Sequence, residues 1–424
     1  MNLFDELTWR ELVYDETGGA REVLETEKVT AYIGFDPTAA SLHVGSLLPV
    51  MALARLQRCG HHAIAIAGGG TGLIGDPSGK TKERQLLTQE LVEHNLAGIK
   101  EQLARFLDFD AKDNPARIVN NADWLTTIPF TDFLRDVGKY FTINSMLAKE
   151  AIKRRLEQED GLSYTEFSYL LLQAYDFLVL YDKYGCTMQL GGSDQWGNIT
   201  AGVTLIRKVR SQSAHGVVYP LITRPDGTKF GKTADGDSVW LDPKRTSPYR
   251  FYQFFMNIED GNVVDMLRYY TFLTQDEVAE SALAVAERPH LREAQRRLAQ
   301  EVTRMVHGGS GLSKAEQATK VLFGEAMTGL GATEIREIFA DAPSSTVTQA
   351  DFANGGIPLV NLLESAGAAK SRGEARRLIS SGGIYLNNVR AQEVDQAVTL
   401  DAAIEGRYLV LRRGKKDYYL VQVA

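Results

Sequence analysis

Cysteine is nearly absent. Cys59 and Cys186 lie far apart in a chain of 424 residues, with no second Cys or His at zinc-ligand spacing, so neither a disulfide framework nor a structural zinc is indicated. A reducing compartment fits that usage, and the expected location is cytoplasmic. No run approaches the roughly 20 apolar residues of a membrane span. The N-terminal segment MNLFDELTWRELV is amphipathic and acidic, unlike the basic start and apolar middle of a signal peptide. Positive charge is also short: 47 Lys and Arg against 54 Asp and Glu give −7, so any nucleic-acid contact must use local patches. No internal repeat and no low-complexity tract is present. With 44% hydrophobic residues, the chain can fill more than one ordinary globular domain.

The stretch around which the rest is organised is YIGFDPTAASLHVGS, Tyr32 to Ser46. It begins as a β-run from Val29 to Ile33 and breaks at Gly34-Phe35-Asp36-Pro37. It then enters an apolar-periodic segment at Leu47, Val50, Met51 and Ala54. Strand, turn and helix in that order place His43, Gly45 and Ser46 beside the unpaired N–H groups of a helix start, where an anion binds. A glycine there lets a flat ring approach the backbone. Read alone, His43 and Ser46 are more simply helix caps.

A second strand, Ala63 to Ala67, ends in GGGTGLIGDPSGKTKER. Gly70, Gly72 and Gly75 have dinucleotide-motif spacing, but Asp76-Pro77-Ser78-Gly79 is a further turn where that motif requires a helix. Lys80-Thr81 is not a P-loop either, because the required glycine position is Ile74. These glycines are expected to permit close backbone packing. A helix is expected over 83–106 and a short strand over 117–121. Pro129 to Phe141 is unusually aromatic for a loop and reads as core or as a subunit interface.

In the helix expected over 165–180, Phe167, Leu170, Leu171, Ala174 and Leu178 form an apolar stripe, while Tyr169, Gln173 and Asp176 share another face. Toward solvent that trio is an ordinary polar face; toward a cleft it is a set of hydrogen-bonding arms. Thr187 to Leu190 followed by GGSDQWGN repeats the strand, glycine turn and helix plan, and its helix ends in Arg207, Lys208 and Arg210. Val217 to Ile222 is a last strand. The segment Lys229-Phe230-Gly231-Lys232-Thr233 then describes a cationic loop.

Helical patterning runs from about 248 to 340, and Pro343 and Gly355-Gly356 mark a linker. Residues 357–424 carry ten Lys and Arg against seven Asp and Glu, a local +3 that leaves −10 on the remainder. Arg372, Arg376 and Arg377, beside Lys370, share a short helix; Arg412, Arg413, Lys415 and Lys416 flank a glycine turn. Such clusters suit a phosphate backbone.

Taken together, YIGFDPTA, HVGS, GLIGDPSGK, TEFSYLLLQAYDF, GGSDQWGNIT, KFGKT and LRRGKKDYYL resemble the bacterial tyrosyl-tRNA synthetases, class I aminoacyl-tRNA synthetases, over almost the whole chain. SRGEARRLISSGGIYLN resembles a small RNA-binding module named after a ribosomal protein. The resemblance implies an α/β protein. A Rossmann-like parallel-sheet catalytic domain occupies 1–225, the signature loop and an α-helical anticodon-binding-type domain 226–342, a linker 343–356, and a small α+β RNA-binding module 357–424.

It further implies activation of L-tyrosine by ATP, brought with Mg2+ and with no metal site in the protein, then transfer of tyrosine to tRNA(Tyr) by a homodimer. Tyr32 and Asp176 would hold the phenol, and Asp76, Tyr169 and Gln173 the ammonium. Gly34, Asp36, Thr38, His43, Gly45, Gly192, Asp194 and Gln195 would surround the nucleotide and the reacting carboxylate. Lys229, Lys232 and Thr233, with Lys80 and Arg84 opposite, would meet the pyrophosphate. Arg207, Lys208 and the C-terminal cations would meet RNA. Ser46 stands where the first signature usually ends in a second histidine. Rival readings are a tryptophanyl-type synthetase, a non-catalytic RNA-binding protein on the same fold, and an oxidoreductase resting on Gly70 to Gly75 alone.

Overall fold

The computed structural model describes residues 2–76, 87–158, 161–222, 230–231, 238–322, 324–340, 342–353, 355–415 and 417–424. The chain divides into two units, Met1–Thr246 with Phe254–Val306, and Ser247–Gln253 with His307–Ala424.

The first unit is built on six strands: β1 (Asp15–Glu16), β2 (Thr30–Phe35), β3 (His62–Ala67), β4 (Arg117–Asn120), β5 (Cys186–Gly192) and β6 (His215–Tyr219). Their order is β1-β6-β5-β2-β3-β4, parallel throughout except for the edge strand β1. Near-continuous apolar runs such as HAIAIA and HGVVY suit strands covered on both faces. From β2 the chain builds outward through β3 to β4, then returns to build outward through β5 to β6. That reversal opens a crevice at the carboxyl ends of β2 and β5, the two strands that share the glycine-turn plan.

The helix after β2, Val44–Arg58, buries Leu47, Val50, Met51 and Ala54 as its periodicity requires. Its last turn does a second job. Arg55 is buried and donates to the carbonyls of Arg268, Tyr269 and Thr271, while Arg10 donates to those of Arg268, Thr271 and Leu273. Two guanidiniums thus satisfy the orphan carbonyls at the end of the Asp260–Tyr270 helix, at the negative end of its dipole. Burial, then the charge of Arg10, pushes the Arg55 guanidinium down to about 9.

The helix Tyr164–Tyr184 starts on the Ser163 side chain, which accepts from the Glu166 N–H, and stops at Gly185 in the left-handed region. Glu166 is buried in a two-pronged ion pair with Arg155, at 2.6 and 2.9 Å. Pro129 to Phe141 is not a loop: it forms the helix Phe130–Asp136 and a 3-10 turn, Gly138–Tyr140. Phe133 and Val137 join the core that contains Tyr32, Trp124 and Phe177, whereas Phe130, Leu134, Ile143 and Leu147 are exposed.

The second unit carries β7 (Ser344–Val347), β8 (Ile357–Pro358), β9 (Ile384–Leu386), β10 (Val389–Arg390), β11 (Ala397–Val398), β12 (Tyr408–Arg413) and β13 (Asp417–Val423). The main sheet runs β10-β9-β12-β13-β7, and β8 pairs with β11. Alternation along β12 feeds two cores. Leu409 and Leu411 pack with Leu359, Leu362 and Ile379, while Tyr408 and Val410 pack with Val321, Ile335 and Phe339. The expected linker 343–356 is therefore corrected. Ser344–Val347 pairs in parallel with β13, and Phe352 is buried. Pro343 and the following serines signal a turn locally, but Ser-Ser-Thr-Val finds a sheet edge some 75 residues later. Residues 307–340 fall in the same unit as this sheet.

Candidate active site

At the carboxyl ends of β2 and β5 lies a cavity of about 510 Å³. β2 and the turn after it contribute Tyr32, Gly34 and Asp36; the helix start contributes His43, Gly45, Leu48 and Pro49; the long helix contributes Tyr169, Gln173 and Asp176; and the end of β5 with its turn contributes Gln189, Gly192, Asp194 and Gln195. The polar trio read on the long helix therefore faces a cleft and not solvent.

One end of the cavity is enclosed. Tyr32 is 1% exposed, its ring meets Phe177 edge-on at 5.2 Å, and its hydroxyl has no hydrogen-bond partner among the described residues. Asp176 is equally enclosed and accepts from Asn121 Nδ2 at 2.9 Å and Trp124 Nε1 at 2.7 Å. Asn121 is itself oriented by the Gly70 N–H, which donates to its Oδ1 at 2.7 Å. Burial pushes Asp176 up to about 7 against the opposing pull of those two donors, with Asp36 adding a small upward push. Burial, followed by the Asp176 charge, also raises the Tyr32 phenol. A buried hydroxyl without a partner and a carboxylate held by two donors form a pair that another hydroxyl can complete.

The middle is a polar relay. Gln195 Nε2 donates to Asp76 at 2.9 Å; Gln173 Nε2 donates to Gln195 Oε1 at 3.2 Å; and Asn198 Nδ2 donates to Gln173 Oε1 at 2.8 Å. At the far end the backbone is bare. A Cβ on Gly45 would lie 2.8 Å from the His43 ring, and one on Gly192 would lie 2.8 Å from Asp194 Oδ1. Gly68 to Gly72 are packed as expected: a Cβ on Gly70 would meet Leu125 at 2.9 Å.

Of the expected nucleotide residues, Thr38 and Ser46 do not line the cavity; Thr38 is exposed and Ser46 half-buried. The helix presents Gly45, Leu48 and Pro49 at i, i+3 and i+4, and Ser46 lies one step round from that face. His43 is the N-cap residue, but its side chain makes no cap bond. Lys80, Arg84, Lys229, Lys232, Thr233 and Lys416 lie outside the described residues. Among the described residues no three His, Cys, Asp or Glu side chains are grouped to hold a metal ion, and no helix is long and apolar enough to cross a membrane.

The expected RNA-contacting cations differ in their surroundings. Arg207, Arg376, Arg377 and Lys415 are exposed, and Arg372 is exposed with Glu364 at 3.0 Å. Lys208 donates to the Tyr140 carbonyl, and Arg413 pairs with Glu374. Arg412 is corrected: it is buried, 3.8 Å over the Tyr385 ring, where it packs the sheet and does not face solvent. Sequence reading also missed Thr71, Asn121, Trp124, Gln189, Asn198, Tyr219 and Tyr270. Asn121-Ala122-Asp123-Trp124 directly after a strand end was the one available signal.

The crevice, its two glycine turns and its polar relay define a class I aminoacyl-tRNA synthetase. A family model described as tRNA synthetases class I (W and Y) matches residues 24–324, and one for the SYY-like C-terminal domain of tyrosine–tRNA ligase matches residues 334–421. The tyrosine–tRNA ligase of Roseiflexus castenholzii is 54% identical over 421 residues, 99% of each chain, and that of Geobacillus kaustophilus is 51% identical over the full length of both. A C-terminally truncated mitochondrial tyrosyl-tRNA synthetase from Aspergillus nidulans superposes with a TM-score of 0.69 at 31% identity, covering 76% of this chain and 94% of that one. The chain belongs to the tyrosine–tRNA ligase family. Its reaction is ATP-dependent activation of tyrosine followed by transfer to tRNA, and neither the tryptophanyl nor the non-catalytic reading is supported.

Proposed function

We propose that the cavity forms tyrosyl-adenylate with the residue roles that its chemistry suggests. The observation that carries the reading is the Tyr32 hydroxyl, without a partner among the described residues, in the same buried end as the doubly held Asp176 carboxylate. A phenol donating to Asp176 and accepting from Tyr32 completes both; a phenyl ring leaves the Tyr32 hydroxyl unpaired and adds no donor to Asp176. Asp76, Tyr169 and Gln173 supply acceptors for the ammonium. Gln195 orients Asp76 and lies beside the reacting carboxylate. Gly34, Asp36, His43, Gly45, Gly192 and Asp194 receive the nucleotide. The carboxylate then attacks the α-phosphorus in line and pyrophosphate leaves, with Lys80, Arg84, Lys229, Lys232 and Thr233 meeting the developing charge. Magnesium enters with ATP as part of the substrate.

The exposed Phe130, Leu134, Ile143 and Leu147, backed by buried Phe133, Val137 and Met146, support a homodimer contact in a cytoplasmic enzyme. The exposed cations of the second unit, Arg372, Arg376, Arg377 and Lys415, are the RNA-facing set. Binding competition tests the tyrosine roles. Tyramine keeps the ammonium and the phenol, whereas 3-(4-hydroxyphenyl)propionate keeps the phenol and loses the ammonium. Asp76→Asn is expected to weaken tyramine and spare the propionate, and Tyr32→Phe to weaken both. Equal weakening of both ligands by Asp76→Asn contradicts the assignment.

A further inference from the structure

Phe230 stands alone as a large apolar residue in TKFGKT. It is buried, and its ring stacks on Tyr270 at 5.7 Å and 23° and tilts onto Phe254 at 5.3 Å. Its N–H donates to the Ile222 carbonyl at 3.1 Å. Gly231 follows with φ +105°, a conformation open to glycine, and a Cβ there would lie 2.8 Å from the Gly45 amide nitrogen. The Gly231 carbonyl accepts from Val239, whose own carbonyl accepts from the Val44 N–H. The Phe230–Gly231 pair is therefore wedged between the start of the Val44–Arg58 helix and the Asp260–Tyr270 helix, and the second of these is fixed at its end by Arg10 and Arg55.

We propose that Phe230 is a positioning residue for adenylate formation: seated on Tyr270 and Phe254, it pins the Phe230–Gly231 peptide to the nucleotide turn and so sets where the chain departs toward Lys229 and Lys232. The proposal rests on the assignment of those lysines to the pyrophosphate. Chain connectivity supplies the link, because Lys229 and Lys232 directly adjoin the anchored Phe230–Gly231 pair in the sequence. A lysine is a point charge on a flexible stem, so its benefit at the transition state depends on where the stem is rooted. Displacement by about 1 Å costs on the order of 10²-fold in rate.

The test is transient kinetics of adenylate formation over a range of ATP concentrations, with tyrosine affinity as a control on folding. Phe230→Ala is expected to lower the maximal rate by on the order of 10²-fold. It should shift the ATP dissociation constant much less and leave tyrosine affinity unchanged, the signature of a loss confined to the transition state. Phe230→Leu should recover most of the rate. Phe230→Ala combined with Tyr270→Ala should lose no more than the worse single variant, because the two rings act as one seat. A Phe230→Ala rate equal to wild type, or losses that multiply in the double variant, would overturn the anchor while a slow Lys232→Ala leaves the lysine assignment standing. A Lys232→Ala enzyme as fast as wild type would remove both.

Discussion

Trp124→Phe deletes one N–H from the surroundings of Asp176 and keeps an aromatic ring in the core. In the free protein Asp176 sits at about 7, with Trp124 donating at 2.7 Å and Asn121 at 2.9 Å holding it below where burial alone would leave it. Protonation removes the charge that strengthens the bond to a phenol, so tyrosine kcat/KM should fall as pH drops through about 7 and level off above about 8. Between pH 8 and pH 6 the ionised share changes roughly tenfold, and kcat/KM should follow it. A hydrogen bond to a charged group contributes about 1.5–3 kcal/mol, equivalent to roughly one to two pKa units. Trp124→Phe should therefore move the midpoint up to about 8–9 and cost roughly tenfold in kcat/KM near neutrality. The assay is tyrosine-dependent pyrophosphate exchange at subsaturating tyrosine from pH 5.5 to 9. Phenylalanine, which gives Asp176 nothing to accept, serves as control. A tyrosine profile without a midpoint between pH 6 and 8, or one that survives Asp176→Asn, refutes the reasoning.

Truncation before Ile357 should spare adenylate formation, because the cavity residues all lie in the first unit, and abolish tRNA charging. The same cut takes β13 from β7 and Tyr408, Val410 and Leu420 from the core around Val321. Residues 307–356 should become protease-sensitive, and persistent resistance there would contradict the single-unit description. Glu166→Ala removes the two-pronged carboxylate from the buried Arg155 and should destabilise the protein by about 3–5 kcal/mol. In urea titration Arg155→Met/Glu166→Leu should recover most of that loss, and a smaller effect from the single change would mean that the charge is solvated.

The parallel sheet was legible because both glycine turns follow strands with continuous apolar runs; Gln173 and Asp176 were legible through helical periodicity combined with resemblance, and Tyr32 through its place on the strand before the first turn. Asn121 and Trp124 were not, since their role exists only where β4 ends beside the long helix, a non-local meeting of segments more than 50 residues apart. β7 failed for the same reason: its serines look like a turn until β13 supplies an edge. Arg412 shows the converse. Its charge reads as surface, yet two tyrosine rings and the strand alternation bury it.

The central claim is that Tyr32 and Asp176 read the phenol hydroxyl. Its most direct test is the ratio of kcat/KM for tyrosine over phenylalanine in pyrophosphate exchange, measured for wild type, Tyr32→Phe, Asp176→Asn and Asp76→Asn. Tyr32→Phe and Asp176→Asn should each lower the ratio by roughly tenfold or more. Asp76→Asn, which addresses an ammonium common to both amino acids, should lower both constants and leave the ratio unchanged. An unaltered ratio in the first two variants, or an equal fall in all three, would contradict the account.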